Sequence, residues 1–144
     1  SIENVSDNEY FKTLSEHMNY CTLNHLNSGY SSCIMISKDN ILKGVAKNYS
    51  YLYTKLNSKD DVPFTFTKPK GIYCIAYHKG DYNNIDKTYN KILQFLKTSN
   101  FDIRKYSYEE FLLDEITVKG YENYLTQISV EVESLIEGEN SINI

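Results

Sequence analysis

Residues 71–82 read GIYCIAYHKGDY, and their pattern decides how the second half of the chain folds. Tyr73, Ile75 and Tyr77 alternate on one side of an extended segment, so Gly71 to His78 is a strand. Lys79-Gly80-Asp81 turns it. Asn83 or Asn84 then caps a helix whose stripe is Ile85, Tyr89, Ile92, Leu93 and Leu96. Ser99-Asn100 ends the helix, and strands are expected at about 101–113 and 121–133.

Toward the N-terminus, residues 57–70 (NSKDDVPFTFTKPK) hold both prolines and a charge cluster, and read as a connection. Before it, Tyr49 to Leu56 is an expected strand with Tyr49, Tyr51 and Tyr53 on one face, and Cys33 to Ile36 another. Ser6-Asp7-Asn8-Glu9 has capping-box spacing ahead of Tyr10, Leu14, Met18 and Cys21, which predicts a helix over about 8–25. Asn27-Ser28-Gly29 breaks it, and only Ile2 to Val5 can supply a leading strand. Each half thus reads as a helix followed by two strands. The expectation is an α+β domain over 1–134 made by a diverged duplication: repeat one about 1–57, linker 58–70, repeat two about 71–134, and an acidic tail from 135 to 144.

Composition limits the function. The 144 residues are 41% hydrophobic and 24% charged, which suits one globular domain. No apolar run approaches a membrane span, no signal peptide is visible, and three cysteines without a CxxC argue for reduced thiols in the cytoplasm. The chain opens at Ser1 rather than methionine, as a segment of a longer protein would. Residues 1–108 carry 14 Lys and Arg against 10 acids, whereas 109–144 carry nine acids against Lys119 alone. With a pI near 5.4 and no basic stripe, nucleic acid is a poor partner for this segment. Fourteen lysines beside one arginine, with 15 asparagines, reflect an AT-rich genome, so the 14 tyrosines must be weighed by position rather than number.

No GxSxG, P-loop, GxGxxG, HExxH or paired CxxC is present. His17, Cys21 and His25 share a helix face, but the stripe is apolar and no carboxylate completes a ligand set, so packing is the expected role. Cys74 and His78 share a strand face without a third orienting group. The last two strands say more. In 121–133 the even positions, from Glu122 and Tyr124 to Val132, form the expected buried face, and Glu109 shares a face with Phe111 and Leu113. A carboxylate on an apolar face needs a partner, and tyrosine hydroxyls are the obvious donors. One reading is an aromatic cavity with an acidic floor, suited to a lipophilic cation. The other is a glutamate ending a strand in solvent, or a bulge that reverses the parity.

The string GIYCIAYHKGDY, followed by a helix, YEEFLLDE (108–115) and YENYLTQISVEV (121–132), resembles the GyrI-like effector-binding domain of MerR-type transcription regulators of the BmrR kind. The likeness runs from about Lys68 to Glu133, with thinner support from YSSCIMISKDNIL (30–42) and YSYLYTKL (49–56). It implies two βαββ repeats related by pseudo-two-fold symmetry around a ligand cleft. It places the cation-facing glutamate on Glu109 with Phe111 beside it, a second acid on Glu122 with Tyr124, and the strand-turn aromatics on Tyr77 and Tyr82. Tyr51 and Tyr53 are added from the tyrosine-rich strand face. Where the family commonly has T-E-I in the last strand, this chain has Thr126-Gln127-Ile128, which puts the pocket's total charge in doubt.

The resemblance implies a bacterial multidrug-sensing module that binds a hydrophobic cation without a cofactor or metal. DNA would be met only through a DNA-binding half outside this chain, and the full regulator would dimerise. Two alternatives stay open: a GyrI-like hydrolase of reactive small molecules, with Glu109 as base and Tyr82 or Tyr124 as proton partner, and a domain that binds a protein such as gyrase.

Overall fold

A computed structural model describes residues 2–26, 32–56 and 66–136. Helix α1 (Asp7–Leu23) starts at the expected capping box: Ser6 Oγ accepts from the Glu9 amide at 3.4 Å, and Glu9 Oε2 accepts from the Ser6 amide at 2.9 Å. Strand β1 (Cys33–Ser37), short helix α2 (Lys38–Leu42) and strand β2 (Tyr51–Tyr53) follow. Strand β3 (Ile72–Lys79) leads through a 3₁₀ turn at Tyr82–Asn84 into helix α3 (Ile85–Thr98). Strands β4 (Phe101–Leu113) and β5 (Leu125–Ser134) complete the fold. Of the expected connection, 57–65 lies outside the described residues, as does the tail beyond 136, and 66–70 has no helix or strand.

The five strands form one antiparallel sheet in the order β2-β1-β4-β5-β3. This is the order that an axis between β1 and β4 generates, exchanging β1 with β4 and β2 with β5. The second half is the expected βαββ unit. In the first half the expected leading strand is not formed among the described residues: Ile2 N donates to Ser50 O at 3.0 Å, and Asn4 at φ 59° then turns the chain into the α1 cap.

The core lies between one sheet face and α3. Ile85, Tyr89, Ile92 and Leu96, spaced by about one helical turn, are buried against Ile34, Ile36, Ile103, Ile128, Val130 and Val132. Two expectations fail for local reasons. Residues 121–123 form a 3₁₀ turn rather than a strand: Gly120 sits at φ 82°, its carbonyl accepts from Asn123 N, and Asn123 Nδ2 donates to Lys119 O. A side chain at Gly120 would be strained at that φ and would press on the Glu122 carboxylate. Likewise Tyr49 does not share a face with Tyr51 and Tyr53. Strand β2 begins only at Tyr51, and Tyr49 packs against the helix-side core.

From Ile128 to Val132 both faces of β5 are buried, Ser129 and Glu131 as well as Ile128, Val130 and Val132. The alternation expected from the sequence is therefore incomplete, because the second face of the sheet carries aromatic side chains of its own.

Candidate functional site

Strand β4 delivers Glu109 to the helix side of the sheet. Its register neighbours are Ile34 on β1 and Ile128 on β5, so the carboxylate stands among aliphatic side chains and is only 1% exposed. Such a group needs a partner. Helix α3 brings one: Tyr89, one turn after Ile85, donates its hydroxyl to Glu109 Oε1 at 2.8 Å. That phenol has one proton, so Ser107 Oγ, 2.9 Å from it, is the donor in the second bond.

Burial pushes Glu109 up to about 7; the Tyr89 hydrogen bond works against this, and Asp86 on α3 adds to it. The Tyr89 phenol is held well above its ordinary value, by burial first and then by the neighbouring carboxylate. Tyr10, Tyr49 and Tyr82 are raised as well, each mainly by burial and in part by Glu109. Tyr89 thus touches the carboxylate, while Tyr10 on α1, Tyr49 before β2 and Tyr82 in the turn before α3 stand near enough for its charge to raise their phenols.

The aromatic rings form two clusters. Tyr10 and Tyr49 lie with ring centres 5.8 Å apart. Tyr82 meets Phe111 edge to face at 5.0 Å and Tyr124 at 5.2 Å. The buried Thr126 hydroxyl, opposite Phe111 in the register, has no hydrogen-bond partner among the described residues. Helix α1 is the least anchored wall: Cys21 is its one buried residue, while Phe11 and Met18 are 62% and 55% exposed.

Of the residues singled out from the sequence, Glu109, Phe111, Tyr82 and Tyr124 come together here. Glu122 does not: it is exposed in the 3₁₀ turn, and the parity that put it at the head of a buried face does not apply. Tyr51, Tyr53 and Tyr77 stand on the opposite face of the sheet. Tyr51 packs on Tyr106, Tyr53 on Tyr108, and the exposed Tyr77 donates to Gln127 Oε1 at 3.2 Å. Tyr10, Tyr49 and Tyr89 were not singled out. Their signal was present: a tyrosine within an aliphatic helix stripe needs a buried acceptor, and a glutamate on an apolar strand face needs a donor.

The histidines are accounted for locally. His78 Nε2 donates to Asp81 O at 2.9 Å, and its Nδ1 lies 2.8 Å from Thr88 Oγ1, so both ring nitrogens are engaged within the fold. His17 Nε2 lies 2.8 Å from Thr54 Oγ1 and 3.8 Å from Cys21 Sγ, whereas His25 turns away at φ 56°. No three metal-binding side chains converge among the described residues, and none of their helices is long and apolar enough to cross a membrane.

Replacing Tyr89 by phenylalanine is expected to push Glu109 further up and to cost about 1–2 kcal/mol at neutral pH, since the ionised carboxylate loses its donor. Carboxyl ¹³C titration of both proteins checks the direction. An unchanged Glu109 midpoint would mean that burial alone sets its protonation.

Residues 29–133 match the sequence model of a family described as the GyrI-like small molecule binding domain. The chain is also 30% identical over 132 residues to the multidrug-efflux transporter 2 regulator of Bacillus subtilis (strain 168), covering 92% of this chain and 48% of that one. It therefore spans about half the length of that relative. No solved structure matches it.

Proposed function

Because the chain belongs to the GyrI-like small-molecule binding domain family, we propose that it senses lipophilic cations in the pocket around Glu109. The observation that carries this reading is one ionisable carboxylate, 1% exposed, hydrogen-bonded to Tyr89 and sharing its strand face with Phe111 of the Tyr82–Phe111–Tyr124 ring cluster. Such a group repays its desolvation only when a positive charge arrives. An organic cation with an apolar body suits both parts, its charge meeting Glu109 and its body meeting the ring faces.

With Glu109 closed from solvent, a ligand must open a wall, and α1 is the cheapest one to move. Displacing Tyr10 from Tyr49 uncovers the carboxylate. A ligand that binds only the opened form shifts the population toward it. In a multidrug-efflux regulator of the MerR type this shift is passed to a separate DNA-binding part, and the domain itself binds rather than catalyses.

The test pairs a lipophilic quaternary ammonium with its neutral carbon isostere in thermal-shift measurements. At 100 times its dissociation constant the cation is expected to add roughly 2.7 kcal/mol to wild type, and the isostere far less. Cation affinity is expected to rise with pH as Glu109 ionises, about tenfold from pH 6 to pH 8, and then to level off. Glu109→Gln removes both the affinity and its pH dependence. Equal binding of the two compounds to both proteins would overturn the reading and turn attention to hydrolase assays.

A further inference from the structure

Tyr108, Glu109 and Glu110 are consecutive on β4, so the two residues flanking Glu109 face away from α3. On that second face the β4–β5 and β3–β5 registers set Tyr108 opposite Ser129 and Tyr73 opposite Glu131. The two rings lie 6.2 Å apart at 60°, and Lys68 Nζ stands 4.7 Å from the centre of each. Phe66 closes one side, 6.4 Å from both Tyr106 and Tyr108.

Lys68 is seated unlike an ordinary lysine. The two buried acids of this face are already engaged, Glu110 with Lys55 and Glu131 with Arg104 at 3.6 Å. Among the described residues Lys68 forms no ion pair and donates no hydrogen bond, and burial holds it below its usual value. An ammonium group is strongly hydrated and carries three donors. Here, on an exposed residue, it is turned toward two ring faces rather than toward an acid. That environment suits a cation with no protons to donate. The buried Tyr108 and Tyr53 hydroxyls on this face have no hydrogen-bond partner among the described residues.

We propose that the sheet face opposite Glu109 carries a second cation site, for a small quaternary alkylammonium, which the chain fills with its own Lys68. The lysine belongs to an exposed stretch, 66–70, with no helix or strand to hold it, so the tethered cation exchanges with a free one. A quaternary ammonium gives up less hydration on entering and keeps the same contact with Tyr73 and Tyr108. Its entry leaves the charge between the rings unchanged and releases the 66–70 strap.

Tetramethylammonium is the probe, and Glu109→Gln is the background, so that binding at the first pocket is removed and failure of that reading cannot be confused with failure of this one. In this background tetramethylammonium is expected to move the ring resonances of Tyr73 and Tyr108 together with the Lys68 side-chain resonance. Adding Lys68→Ala should tighten binding about tenfold, the competing tether being gone. Adding Tyr73→Leu as well should cancel the gain, while Tyr73→Phe should keep it. Titration of the single Glu109→Gln protein needs no change on this face and supplies the reading if a multiple variant fails to fold. The proposal is overturned if Lys68→Ala leaves affinity unchanged, if the shifts fall elsewhere, or if neutral 3,3-dimethylbutanol binds as well as the cation.

Discussion

Without any ligand, Glu109→Gln is expected to flatten the loss of stability between pH 5 and pH 8 that wild type suffers. The native carboxyl titrates near 7, whereas the unfolded one titrates near its model value of 4.5. The raised value means that the folded protein prefers the protonated form. The contribution is intact below about pH 4.5, falls as pH climbs through 7, and is level above. A difference of that size corresponds to about 3 kcal/mol, or roughly 10 °C in melting temperature for a domain of this length. Glutamine keeps the shape and the acceptor for Tyr89 but does not ionise. Parallel melting curves at pH 5 and pH 8 read the effect directly. If the two proteins lose stability equally over that range, Glu109 is not the buried acid that the proposed pocket requires.

Ile128→Ala is expected to cost about 3–4 kcal/mol at pH 5, in the range for emptying a fully enclosed aliphatic position. Ile128 has no exposed surface and sits at the centre of the sheet, paired with Glu109 in the β4–β5 register. The vacancy therefore opens beside a carboxyl group. Water entering it would solvate the carboxylate and bring Glu109 back toward its ordinary value. The cost should accordingly be smaller at pH 8, by about 1 kcal/mol. Ile103→Ala is the control, since Ile103 is equally buried but pairs with Val132, away from Glu109. Its cost should not vary with pH. Denaturant unfolding of the three proteins at both pH values decides the matter. A pH-independent cost for Ile128→Ala would mean that the cavity stays dry.

Much of the site was readable locally. The Ser6–Glu9 capping box located α1, the stripe from Ile85 to Leu96 located α3, and the expected strand over 101–113 matches β4. The shared face of Glu109 and Phe111 followed from the two-residue period of that strand. What failed were inferences that carried parity across a break. Counting back from Val132 placed Glu122 on the buried face, but the positive φ of Gly120 ends the strand before the count reaches it. Counting from Tyr51 placed Tyr49 beside it, but β2 starts after Tyr49, and the ring turns to Tyr10 instead.

The sequence by itself therefore determined α1, α3 and the approximate places of the strands but not α2, together with the α+β order and the presence of an acid on an apolar strand face, because periodicity and capping act over a few residues. Tertiary structure alone decided which of the tyrosines meet that acid. Tyr89 reaches Glu109 with Tyr10, Tyr49 and Tyr82 on the same side of the sheet, while Tyr51, Tyr53, Tyr73 and Tyr108 gather on the other side. A strand's alternation says which side chains share a side. It does not say which side faces the helices, since pairing between distant strands and the docking of α3 set that choice.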